Sequence, residues 1–106
     1  MDNWTPDDLK KNLDEGKDVF LKLWKKGCGA CKLSQPAIER IMAADKHGLV
    51  FAQICTDDFP EMYEIAETEV LPTFFVFKDK KLAGKNIGFK GLAKLQAFVD
   101  STISGE

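Results

Sequence analysis

Apolar positions along the chain fall into short runs and helical stripes, separated by polar segments that carry glycine or proline. The first element is announced by its caps. Thr5 is a capping residue, Pro6 suits the first helical position, and Asp8 stands where a capping-box carboxylate reaches back. Trp4 and Leu9 have the spacing of a hydrophobic staple, and Gly16 offers a stop, so the pattern predicts a helix over residues 6–15. Val19 to Trp24 is an apolar run with β-branched and aromatic members and predicts a buried strand. Ala37, Ile38, Ile41 and Met42 then recur at helical spacing, with Gly48 as the expected close and Pro36 expected to bend the helix. Leu49 to Cys55 reads as a second buried strand, and Asp57-Asp58-Phe59-Pro60 as the opening of a short helix reaching Glu67. Thr73 to Phe77 reads as a third strand, turning through Asp79-Lys80 into a more polar fourth at residues 82–88. A last helix follows Gly91, with Leu92, Leu95, Val99 and Ile103 on one face.

The order is therefore α-β-α-β-α-β-β-α. Two strands joined by a helix are parallel through a right-handed crossover, and two strands joined by a tight turn form a hairpin. This predicts an α/β fold with a central mixed four-stranded sheet and helices on both faces, in one domain spanning residues 1–106. Capping signals begin at Thr5, which leaves little room for any strand before the first helix.

Composition narrows the functional classes. Fifteen Lys/Arg against seventeen Asp/Glu give a net charge of −2, and the aromatics are mostly Phe within apolar runs, so nucleic acid and anionic lipid are poor partners for this chain. No stretch approaches the roughly 18 consecutive apolar residues of a spanning helix. The acidic start MDNWTPDD lacks a basic, then apolar leader, so the expectation is a cytoplasmic monomer. Three cysteines, Cys28, Cys31 and Cys55, are too few and odd for a secreted disulfide framework.

The chemistry gathers in Leu21 to Lys32, "LKLWKKGCGACK". Disulfide exchange needs a thiolate, and an ordinary cysteine supplies little of it at neutral pH. Cys28 lies at the mouth of the predicted second helix, where unpaired N–H groups and the helix dipole favour negative charge, and Lys25, Lys26 and Lys32 add positive charge. Gly27 and Gly29 leave the Cys28 sulfur accessible, and Cys31, one turn on, is placed to release a mixed disulfide. A zinc site lacks its second half, since His47 and Cys55 are the sole further candidates, and a disulfide across two residues closes too small a loop to add much stability. Strand, C-x-x-C and helix in a βαβ setting together read as a redox motif.

With "LWKKGCGACK" ending the first core strand, "VLPTFFVFKDKKL" at the hairpin and "GFKGLAKLQAFV" in the tail, the chain resembles the thioredoxin family over nearly its whole length. The resemblance implies a thiol–disulfide oxidoreductase with Cys28 as the exposed nucleophile and Cys31 as the buried resolving thiol. It implies a cis Pro72 shaping the substrate groove, with Leu71 offering backbone groups. It implies no bound cofactor beyond a reversible Cys28–Cys31 disulfide. The implied partners are disulfide-bearing proteins and an external reductase or thiol reductant. The alternatives are a redox-inactive binding module of the same fold and, more remotely, a metal carrier using all three cysteines.

The departures are specific. Thioredoxins usually read W-C-G-P-C, whereas here Gly27 stands at the Trp position and Ala30 at the Pro position, so the Gly29-Ala30 dipeptide is expected to tune the redox potential. Lys22 falls where the family keeps a buried aspartate, and Gln53 where it often keeps that aspartate's lysine. Lys22 is expected to act as a redox-tuning charge, as a neutral proton acceptor, or to reach solvent and do neither. Cys55 is expected to be a small core residue and Trp24 to pack under the motif.

Overall fold

A computed structural model describes residues 1–105, and across them five strands and four helices alternate. They are β1 (Asp2–Asn3), α1 (Pro6–Asp14), β2 (Val19–Trp24), α2 (Gly29–Ala43), β3 (Val50–Cys55), α3 (Met62–Ala66), β4 (Thr73–Lys78), β5 (Lys81–Ile87) and α4 (Leu92–Ser104). The sheet order is β1-β3-β2-β4-β5, with β1, β2 and β3 parallel and β4 and β5 antiparallel to their neighbours.

The three central strands are apolar on both faces because both faces are covered. Val19, Leu21 and Leu23 of β2, Ala52 and Ile54 of β3, and Phe75 and Phe77 of β4 form one core with Leu9 of α1 and Met62 and Ala66 of α3. The alternate residues Phe20, Phe51, Phe74 and Val76 form the other, with Ile38 and Ile41 of α2 and Leu95 and Val99 of α4. Lys22 and Trp24 continue the second face of β2 toward its C-terminal end, so the strand passes from core to site along one row of side chains.

Local signals place the helix starts. The Thr5 Oγ1 accepts from the Asp8 N–H at 3.1 Å while the Asp8 carboxylate accepts from the Thr5 N–H at 2.9 Å, closing the capping box. In the β4–β5 turn Asp79 and Lys80 both take left-handed φ (54° and 68°), the geometry of a two-residue hairpin turn whose twist matches the strands. Two ammonium groups satisfy carbonyls at helix C-termini: Lys85 Nζ donates to the Ala66 oxygen and Lys78 Nζ to the Ile103 oxygen, each at 2.7 Å.

Three expectations are corrected. The sheet has five strands in place of four, because Asp2 and Asn3 pair in parallel with Ala52 and Gln53, and the Trp4 N–H donates to the Gln53 carbonyl at 2.7 Å. Both strand residues are exposed, so no apolar alternation announces them; the buried Trp4 holds them in place. Helix α2 ends at Ala43, short of Gly48, because Asp45 turns the chain with its carboxylate, accepting from the His47 and Leu49 N–H groups at 3.2 and 3.0 Å. Met42, in the last turn, is exposed, and His47 contacts Asp100 Oδ1 on α4 at 3.0 Å. The segment after β3 forms a turn on the Cys55 carbonyl, and α3 spans five residues from Met62 to Ala66, without the two aspartates.

Helix α4 lies on β5 at Gly84. A Cβ added there would meet Thr102 Cγ2 and Oγ1 at 2.9 Å and Phe98 Cε1 at 3.1 Å. Gly84→Ala is therefore predicted to destabilise the protein by about 1–3 kcal/mol, as overpacking does. Thr102→Ala in the same chain removes both of the closest atoms and should restore most of the loss. Urea midpoints of the two single variants and the double variant check this; strictly additive losses would show that the two side chains do not compete for space.

Candidate active site

Strand β2 ends at Trp24 and the chain turns at once. The Cys28 N–H donates to the Lys25 carbonyl at 3.4 Å, and Gly27 takes φ +75° at the third position of the turn, as a type II turn requires. The Lys26 N–H donates to Asp57 Oδ2 at 3.1 Å, tying this turn to the segment after β3. Thr56, next to it, donates its N–H to the Trp24 carbonyl at 2.8 Å, and its hydroxyl lies 2.8 Å from that of Tyr63.

Helix α2 then starts with Cys28 as its N-cap, in extended conformation (φ −83°, ψ 107°). The Cys28 Sγ accepts from the Cys31 N–H at 3.2 Å, the place a serine or aspartate oxygen usually fills. Cys28 is half-buried and Cys31 is 3% exposed. The two sulfurs are joined as a disulfide, with Cα atoms 5.2 Å apart. Gly29 and Ala30, the first two residues of the helix, are both exposed.

Lys22 is buried at 3% exposure and does not run to solvent. Its Nζ donates to the Cys31 carbonyl at 2.8 Å and to Gln35 Oε1 at 3.1 Å. Among the described residues no carboxylate pairs with it, and its sheet neighbours are Gln53 and Phe74. Two neutral oxygens do not replace the lost water, so burial brings its pKa down from 10.5 to about 8. Gln53 turns its amide to Asn3 Oδ1 at 3.0 Å. Lys22, Trp24, Cys28, Cys31, Gln35 and Gln53 border one open cavity of about 470 Å³, with Lys25, Lys26, Gly27 and Lys32 completing its wall.

On β4, Thr73 pairs with Leu23, so Pro72 stands at the sheet end from which the cysteine loop leaves. The Leu71–Pro72 peptide is cis, Pro72 is buried, and its carbonyl accepts from the Gly88 N–H at 2.8 Å. Cys55 is a free, buried cysteine. Among the described residues no group of three or more His, Cys, Asp or Glu is placed to hold a metal ion.

Two contributors escaped the sequence analysis. Gln35 lies four residues after Cys31, on the same face of α2, and that spacing was the available signal. Asp57 falls in the stretch expected to open a short helix; its contact with Lys26 spans 31 residues and has no local signature.

Comparison with known proteins agrees with this geometry. The family model described as Thioredoxin matches residues 2–101. Thioredoxin of Coprinus comatus is 28% identical over 101 residues, covering 92% of each chain. A bifunctional thioredoxin reductase/thioredoxin of Mycobacterium leprae is 30% identical over 83 residues, which are 78% of this chain and 18% of that protein. The oxidised mitochondrial thioredoxin 3 of Saccharomyces cerevisiae superposes with a TM-score of 0.79 at 24% identity, covering 94% of each chain, and shares the fold. A disulfide at a helix start, on this sheet and with these relatives, has one consistent chemistry: the chain belongs to the thioredoxin family and is a thiol–disulfide oxidoreductase.

Proposed function

We propose that Cys28 is the attacking thiol and Cys31 the resolving one, in a protein that reduces disulfides in other proteins. The observation that carries this assignment is the asymmetry across one helix start: Cys28 is half-buried at the N-cap, whereas Cys31 is 3% exposed. The α2 N–H groups, the Cys31 N–H donated to Cys28 Sγ and the ammonium groups of Lys25, Lys26 and Lys32 all favour negative charge on the outer sulfur. The Cys28 thiolate attacks one sulfur of a substrate disulfide; that S–S bond breaks and the departing thiolate keeps its electron pair. The Cys31 thiolate then attacks Cys28 Sγ, the mixed disulfide breaks, and the substrate leaves with its second thiolate while Cys28 and Cys31 are oxidised.

Substrate backbone is held by Leu71, which precedes the cis Pro72 at the sheet end where the cysteine loop leaves; Pro72 itself has no N–H to offer. Gly27 borders the same cavity as Cys28 and brings no side chain to it, which leaves the approach open. An external reductase or thiol reductant returns the pair to the dithiol form; the fused reductase in the Mycobacterium leprae relative supports the first of these.

Lys22 tunes the couple. A group with a pKa of about 8 is mostly protonated at neutral pH, so an ammonium stands on the Cys31 carbonyl. A positive charge there favours thiolate over disulfide and makes the pair more oxidising than an aspartate would. Gly29 and Ala30 fill the first turn without the ring of a proline and act on the same equilibrium through the stiffness of the helix start.

Three outcomes are expected. In insulin reduction by dithiothreitol, Cys28→Ser falls to the uncatalysed rate, and Cys31→Ser accumulates a mixed disulfide on Cys28 detectable by mass; a trapped species on Cys31 would reverse the assignment. Equilibrated against a dithiol buffer, Lys22→Asp has a lower reduction potential by about 30 mV or more, a tenfold change in equilibrium; an unchanged or higher value would sink the tuning role. The folded chain releases the Lys22 proton near 8 and the unfolded chain keeps it to 10.5, so between those values the unfolded state binds more protons and stability rises with pH. In urea titrations of the oxidised protein that rise is smaller in Lys22→Met than in the wild type.

A further inference from the structure

A buried ammonium must be held by acceptors, and at Lys22 one side chain supplies that hold. Lys22 Nζ donates to the Cys31 carbonyl at 2.8 Å and to Gln35 Oε1 at 3.1 Å, and among the described residues no other group accepts from it. Its neighbours across the sheet do not contribute: Gln53 turns its amide to Asn3, and Phe74 has no acceptor in its side chain. The Cys31 carbonyl is shared, since the Ser34 hydroxyl also donates to it, at 2.7 Å. The charged groups around the cavity are Lys25 and Lys26 from the turn and Lys32 from α2, with Cys28 and Cys31 as the thiols of the reduced state; no Asp or Glu borders it. Asp57, the carboxylate bonded to the Lys26 N–H, is not part of that wall. Gln35 is half-buried on the wall, four residues after Cys31, so two oxygens from one face of α2 clamp the ammonium.

The kind of acceptor matters. An ammonium only donates, so the Gln35 amide presents its oxygen to Lys22 and stays neutral. A glutamate in its place would hold Lys22 as firmly and cancel its charge. An apolar side chain would leave the ammonium with the shared carbonyl alone. A neutral acceptor does neither: it holds the charge and leaves it uncancelled beside the cysteines. We infer that Gln35 is a positioning residue for the exchange reaction: it holds the Lys22 ammonium against the residue that carries the inner sulfur, and through that ammonium raises the reduction potential of the Cys28–Cys31 pair. The inference rests on the tuning role given to Lys22 and names the side chain on which that role depends.

The test is a double-mutant cycle on the reduction potential, measured at neutral pH against a dithiol buffer, with Gln35→Met, Lys22→Met and the two combined. Methionine keeps the length and helix propensity of glutamine and removes its acceptor. Gln35→Met is expected to shift the equilibrium toward the disulfide by about threefold or more, because a hydrogen bond to a charged group is lost. In the Lys22→Met background it is expected to shift it no further. The second readout is the Lys22 proton, followed by the NMR signal of isotope-labelled lysine in the oxidised protein and assigned by its absence from Lys22→Met. Held to about 8 in the wild type, that proton should leave at lower pH in Gln35→Met and at higher pH in Gln35→Glu, where a carboxylate favours the charged form. Gln35→Glu should also lower the potential, because its charge opposes that of Lys22. Opposite movements of the Lys22 titration with the same movement of the potential form a pattern that helix packing alone does not produce. An unchanged potential in Gln35→Met, with Lys22→Met lowering it, would overturn the inference and leave the tuning role of Lys22 standing. An equal fall in both backgrounds would overturn it as well, since Gln35 would then act on the cysteines without Lys22. So would a Lys22 signal that titrates alike in wild type, Gln35→Met and Gln35→Glu. A Lys22→Met potential equal to that of the wild type would remove the tuning role itself, and this inference with it.

Discussion

The site depends on where α2 begins. A helix cap accepts the N–H three residues further on, and three residues is also the separation of Cys28 and Cys31. The spacing of the motif is thus the spacing of a cap and the group it caps. One backbone arrangement leaves Cys28 half-buried at the cavity, donates a hydrogen bond to its sulfur and buries Cys31. Moving the helix start by a single residue would dissolve all three relations. Two devices hold it in register: the left-handed Gly27 in the preceding turn, and the Asp57 carboxylate on the Lys26 N–H.

Lys22 belongs to the same arrangement from below. Along one face of β2, Phe20 lies in the core, Lys22 under the first turn of α2 and Trp24 at the cavity edge. Placing an ammonium at the middle position without a carboxylate is unfavourable for folding, because neutral oxygens repay little of its lost hydration. The return is a positive charge fixed within one hydrogen bond of the residue that carries the inner sulfur. Structures tolerate such local cost where a function uses it.

Much of this could be read from residue patterns, and the failures share a cause. The α1 caps, the ends of β2 and the hairpin turn are local, set by neighbours within four residues, and the structure has them where the pattern puts them. The first strand was missed because a two-residue exposed strand buries nothing and is held by backbone bonds to a segment 50 residues away. Helix α2 was carried too far because Gly48 is a plausible stop, whereas the Asp45 side chain had already turned the chain. At the site, the oddity of a lysine in an apolar run was visible. Its partners Gln35 and the Cys31 carbonyl were not, since they come from a helix packed across the strand.

The two ends of the sheet have a consequence for recognition. At one end β1 is two residues long and polar; at the other β5 carries Lys81 and Lys85, and a bulge opposite Val76 and Phe77 breaks its pairing. Leu82 and Ile87, the exposed apolar residues of β5, lie near its two ends with that irregularity and Lys85 between them. One margin is too short and the other is interrupted by a bulge and carries lysines, features that disfavour growth of the sheet by addition of another strand. Both sulfurs and the cis peptide lie instead at one end of the strands, away from either margin.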